Sequence, residues 1–185
     1  MPKAKTGGRE EGEMAMDRDG EEEGAVDVVE MLKSDHRKVQ ELFTRFEDSD
    51  KRGRASIASE TLAELEIHTA IEEELVYPAI REAIDQDELI DQAKEEHHVA
   101  TLLIKELHKM DAGNEAFATK FKVLGELVGH HIEEEEGELF PQAQESEWKT
   151  DDLGRQVMKR KEQLMQKHRH GGAKKSSSQK RRRAA

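Results

Sequence analysis

The chain has 185 residues, no cysteine, three prolines and a formal net charge of −12 at pH 7. Without cysteine there are no disulfides, no thiolate-bound zinc or iron–sulfur cluster and no thiol nucleophile. No apolar run approaches the roughly 18 residues that span a bilayer, and the N-terminal stretch lacks the apolar centre of a secretory signal, so a cytoplasmic protein is expected.

Residues 1–24 hold four basic and eight acidic side chains and no periodic apolar residues, which predicts a disordered acidic arm. Four amphipathic helices are expected next, within 25–145. Val29, Leu32, His36, Val39, Phe43 and Phe46 recur at steps of three and four, one face of a first helix. Ile57, Thr61, Leu65, His68, Glu72, Leu75 and Ala79 mark a second. The third stripe is Ile90, Ala93, His97, Ala100, Ile104 and Leu107, and the fourth Phe117, Phe121, Leu124, Val128, His131, Glu135 and Leu139. Polar breaks at Asp48–Gly53, Asp85–Glu88 and Asp111–Asn114 separate them.

Short links between long amphipathic helices imply an all-α, antiparallel up-down-up-down four-helix bundle. Pro78 and Pro141 fall late in the second and fourth helices and should bend or end them. A weaker amphipathic segment, about Leu153 to Met165, predicts an additional short helix within 146–170 that caps the bundle. Residues 171–185, with glycine, serine and a Lys/Arg run, are expected to be a disordered basic tail.

One string occurs twice. His68-Thr69-Ala70-Ile71-Glu72 runs on to Tyr77-Pro78, and His131-Ile132-Glu133-Glu134-Glu135 runs on to Phe140-Pro141. Residues four apart on a helix share a face, so each copy offers an imidazole and a carboxylate to one point. His36 precedes the first copy much as His97 precedes the second, which makes the bundle two duplicated helical hairpins.

A single inward histidine is more often a hydrogen-bonded core residue than a ligand. Four inward histidines with two inward glutamates are different, because each buried carboxylate costs several kcal/mol unless compensated. A pair of cations supplies that compensation, and the metal ligands expected are His36, His68, Glu72, His97, His131 and Glu135. His98 and His130 lie on poorer stripes and are expected at the surface or behind the ligands; His108, His168 and His170 carry no ligand argument. Tyr77 is expected to pack, with a role beside the metals as the lesser reading. Imidazole and carboxylate without thiolate suit iron or manganese and are compatible with zinc.

The order His36, His68-x-x-x-Glu72, His97, His131-x-x-x-Glu135 resembles the hemerythrin-like HHE cation-binding domain over about residues 25–145. Ferritin-like bundles instead place the acid first, at a spacing of three. The resemblance implies two iron ions in a non-haem, carboxylate-bridged centre. It also implies work with dioxygen, peroxide or nitric oxide, or in iron homeostasis. Oxygen-carrying hemerythrins have a further histidine where this chain has Thr101, and an aspartate one residue beyond the place of Glu135. Those departures favour redox chemistry or sensing over carriage.

The acidic segment 25–154 is unsuited to polyanions. Residues 155–185 hold twelve basic and one acidic side chain, and supply the alternative reading: an interaction module whose basic tail binds nucleic acid or another polyanion. No aromatic residue is interleaved there to stack on bases.

Overall fold

The computed structural model describes residues 27–84, 86–146, 148 and 151–183, with the backbone alone described at 151 and 171–183. The expected acidic arm, 1–24, lies outside the described residues. Helix α1 covers Val28–Asp48, α2 Lys51–Ile71, α3 Tyr77–Ala83, α4 Asp87–Leu107, α5 Glu115–Glu134, α6 Phe140–Glu145 and α7 Asp151–Arg183. Among the described residues there is no strand, and no helix is long and apolar enough to cross a membrane.

The starts of three bundle helices are fixed by side-chain caps. Asp27 accepts from the Glu30 N–H, Asp50 from those of Arg52 and Gly53, and Asn114 from that of Ala116, each satisfying donors that a helix cannot pair internally. Helices α1, α2, α4 and α5 form the antiparallel four-helix bundle. Neighbours α1 and α2 pack along their length, as do α4 and α5, while α1 meets α5 and α2 meets α4 to close the ring.

Neither proline ends its helix. A π turn, Glu72–Val76, joins α2 to α3, and another, Glu135–Leu139, joins α5 to α6. In each, an N–H reaches back five residues, Tyr77 to Glu72 and Phe140 to Glu135. Proline has no N–H and its ring collides with the carbonyl four residues earlier. The wider turn just ahead of Pro78 and Pro141 accommodates both difficulties, so the helices continue beyond the point where the prolines were expected to interrupt them.

Helix α7 is far longer than the short segment its apolar pattern marks. Leu153, Val157 and Leu164 pack on the bundle, against a cluster that includes Leu32, Ile71, Val76 and Tyr77. The helix lies along α2 and the first π turn, with fewer contacts to α1. Its backbone runs as helix to Arg183, through the stretch where the basic tail was expected.

Two apolar clusters fill the bundle. One, around Leu32, Ile71, Ile80, Ile90 and Phe140, lies toward α3, α6 and α7. The other, around Leu42, Phe46, Leu62, Leu107, Phe121 and Leu124, lies toward the opposite end. Between them sits a layer of buried polar residues.

Candidate metal centre

That layer holds all six residues singled out by the sequence. Each bundle helix supplies one histidine: His36 from α1, His68 from α2, His97 from α4 and His131 from α5. Glu72 and Glu135 open the two π turns, one turn beyond His68 and His131. All six are buried, Glu72 completely and Glu135 to within 2 %.

The imidazoles converge in pairs. His36 Nε2 lies 3.0 Å from His68 Nε2, and His97 Nε2 lies 3.1 Å from His131 Nε2. The carboxylates join the pairs. Glu72 sets Oε1 3.1 Å from His68 Nε2 and Oε2 3.4 Å from His97 Nε2. Glu135 Oε2 lies 3.5 Å from His36 Nε2 and 3.4 Å from His131 Nε2. Two overlapping groups result: His36, His68, Glu72 and Glu135, and Glu72, His97 and His131.

This donor set fits a pair of cations. Both oxygens of Glu72 and one of Glu135 are buried without a well-aligned hydrogen bond, an expensive arrangement in an apolar bundle unless something positive lies between them. The facing imidazole nitrogens can share only one proton per pair. With Nε2 atoms 3.0 and 3.1 Å apart, each pair could give both nitrogens to one ion at an ordinary metal–imidazole distance of about 2.1 Å.

Every histidine turns its other nitrogen toward a carboxylate. Glu136 approaches His36 Nδ1 to 2.7 Å and Glu96 approaches His131 Nδ1 to 2.8 Å. Glu73 lies 3.2 Å from His97 Nδ1. Asp35 comes only to 3.8 Å from His68 Nδ1, an ion-pair distance, and that nitrogen has no hydrogen-bond partner. Such outer carboxylates orient metal-binding imidazoles and raise their basicity. The sequence signal for two of them was available in the matching pairs Asp35-His36 and Glu96-His97. Glu73 and Glu136 were hidden in acidic runs, where no spacing rule distinguishes one glutamate from the next.

Charge and burial oppose one another throughout the layer. Burial alone would depress His68, but Glu72, Asp35 and Glu135 raise its pKa to about 10. His131, pushed down by burial, is carried to about 9 chiefly by Glu135, with Glu72 and Glu96 helping. Burial raises Glu72, yet His68 and His97 hold it well below the usual carboxylate range. Glu135 is raised by burial and by Glu72, and His131 and His36 bring it below that range. A cation bound by these groups displaces the imidazole protons.

Tyr77 belongs to the site more closely than packing alone implies. Its hydroxyl donates to Glu135 Oε1 at 2.7 Å, and its ring stacks on His97. Burial and the charges of Glu72 and Glu135 raise its pKa well above the ordinary phenol value, so it remains a donor. The equivalent residue in the second copy, Phe140, stacks on His36 without a hydroxyl.

The other histidines lie elsewhere. His98 is exposed. His108 is 42 % exposed and pairs with Glu66, and His130 is 62 % exposed and pairs with Glu134. His130, Glu134 and Glu96 form a third, more open group, but Glu96 already serves His131 and both glutamates accept from Gln92.

A cavity of about 20 Å³ lies against the four histidines, with Val39, Leu65, Ala100, Ile104 and Val128 among its walls. A space of that size holds about one water-sized molecule. Its walls are largely apolar.

A family model, the hemerythrin HHE cation-binding domain, matches residues 27–143. The chain belongs to that family. A hemerythrin HHE cation-binding domain-containing protein of Mycobacterium kansasii has a similar structure, with a TM-score of 0.65 and 25 % identity over 75 % of this chain and 87 % of that one. A protein of Nostoc sp. strain PCC 7120 named DNA nickase is 26 % identical over 125 residues. That match takes in 65 % of this chain but only 34 % of the Nostoc protein, so the chain spans about a third of its relative's length.

Proposed function

We propose that His36, His68, Glu72, His97, His131 and Glu135 hold two iron ions, and that the centre acts on or senses dioxygen, peroxide or nitric oxide, or serves iron homeostasis. The observation that carries this reading is the placement of Glu72, buried without a well-aligned hydrogen bond, with one oxygen directed toward each imidazole pair. Nitrogen and oxygen donors without sulfur favour iron or manganese over softer ions. When bound, such a pair supplies electrons and open positions to one small molecule.

The chain's own residues set the conditions. The cavity beside the histidines restricts access to molecules of a few atoms, and its apolar walls disfavour charged ones. Tyr77 holds Glu135 by its outer oxygen and leaves Oε2 directed at the histidines. Glu73, Glu96 and Glu136 keep three imidazoles oriented with Nε2 inward. The test is to load the protein aerobically with iron. About two irons per chain and near-ultraviolet charge-transfer absorption are expected; a folded, colourless product without bound iron would falsify the reading.

A second reading is favoured by the likeness to a protein named DNA nickase and by the basic end of the chain, which includes Lys174, Lys175 and Lys180 to Arg183. In it, residues 171–185 engage nucleic acid through phosphate contacts. Deleting them should abolish a salt-sensitive DNA mobility shift while leaving metal content unchanged. An unaltered shift would remove this reading.

A further inference from the structure

The four outer carboxylates are not equivalent, and the exception is made by a helix outside the matched family region. Lys161 of α7 bonds both oxygens of Asp35, with Nζ 2.6 Å from Oδ2. Asp35 is the carboxylate that stands back from its histidine, at 3.8 Å, whereas its three counterparts lie at 2.7, 2.8 and 3.2 Å. His68 Nδ1 is left buried and unpartnered.

Helix α7 is held in the register this contact requires. Arg160 grips both oxygens of Glu74, on the first π turn. Val157 and Leu164 are buried on the bundle. Lys161 falls four residues after Val157, on the inward stripe of the helix. A lysine there meets a buried carboxylate instead of solvent. In the second hairpin the equivalent acid, Glu96, has no lysine or arginine partner among the described residues; its Oε1 accepts from Gln92 and its Oε2 lies 2.8 Å from His131 Nδ1.

We propose that Lys161 is a positioning residue that makes the two metal positions unequal. By drawing Asp35 away from His68, it leaves His68 the least firmly oriented of the four imidazoles. The ion held by the His36–His68 pair is then the more weakly bound and the more readily exchanged. This rests on the two-metal reading above.

The experiment uses the full chain, stripped of metal by chelation and titrated anaerobically with iron(II) alone in a calorimeter. In the parent protein two ions bind with affinities roughly tenfold apart, the scale of effect that outer-sphere partners exert on metal affinity. In Lys161→Met, Asp35 is free to reach His68; the weaker affinity tightens and the two steps merge, with two ions still bound. Lys161→Arg keeps the separation. In an Asp35→Asn background, Lys161→Met has no effect on either step. Circular dichroism and melting temperature separate these outcomes from simple loosening of α7. Two ions with the same separation in the parent and in Lys161→Met overturn the proposal, as does loss of metal from a folded Lys161→Met. Two indistinguishable steps in the parent overturn it as well. Failure of the parent to bind a second ion overturns the two-metal reading itself.

Discussion

The two hairpins are near-copies in ligand order and differ in what surrounds the ligands. The first hairpin carries His36, His68 and Glu72, and the second His97, His131 and Glu135. Tyr77 of the first gives a hydroxyl to Glu135 of the second, but Phe140 returns nothing to Glu72. Asp35 is bound to Lys161 while Glu96 is bound to His131. Duplication sets the inward donors and leaves the layer behind them free to diverge. An approximate two-fold arrangement thus presents two chemically distinct halves.

The largest effect expected is from Glu72→Ala. It removes the one side chain that addresses both pairs with separate oxygens, so bound iron should fall from two ions to less than one, measured by elemental analysis. Next come the ligand histidines. His68→Ala and His131→Ala should each cost at least one ion, while His108→Ala, whose side chain pairs with Glu66 at the surface, should cost none. Equal metal content in all three would remove the assignment.

Acidity offers a third way to probe the pairing. The pKa values of His68 and His131, about 10 and about 9 in the folded chain, lie above the ordinary value near 6.5. The folded state of chelator-treated protein therefore binds more protons than the unfolded state between those values. Stability from these two groups is fully present below about pH 6.5 and is lost as pH rises toward 10. Melting temperature should drop by several degrees across that interval. Iron-loaded protein should be much flatter, because its histidines have already given up those protons. A flat profile for the metal-free protein would sink the pairing.

Smaller is Tyr77→Phe, which makes the aromatic partners of the two halves alike. It leaves Glu135 Oε1 without its donor, at a cost of about 1–3 kcal/mol, with two ions retained and the visible spectrum shifted. Smallest is His98→Ala, which should leave both metal content and spectrum nearly unchanged. Its neighbour His97, about 100° round the helix and buried among the ligands, should not tolerate the same substitution. If the two variants behave the other way round, the ligand on α4 is His98 and not His97.

The bundle and its inward residues were legible because a helical stripe reports direction, and six polar residues inside apolar stripes are conspicuous. His97 was separable from His98 on that ground alone. The layer behind was less legible. Glu73 and Glu136 sit in runs of glutamate, and only packing across the bundle selects which one meets His97 or His36. Tyr77 looked like core, since an aromatic before a proline satisfies a packing rule as well as a polar one. Lys161 lies 126 residues from Asp35 along the chain, beyond the reach of any local pattern. The π turns were invisible for a related reason: proline announces a disturbance, but whether the helix stops or widens depends on what holds the far side.

Each π turn amounts to one residue spliced into an otherwise regular helix, and a splice can be reversed. Deleting a single residue between Glu73 and Val76 would restore the ordinary pitch, and the bond from Tyr77 N–H to Glu72 O, which spans five residues, would span the usual four. Tyr77 and the helix beyond it would keep their direction, and the hydroxyl would still reach Glu135. The cost would fall on Pro78 instead, whose ring would meet an ordinary turn without the room that the splice provides.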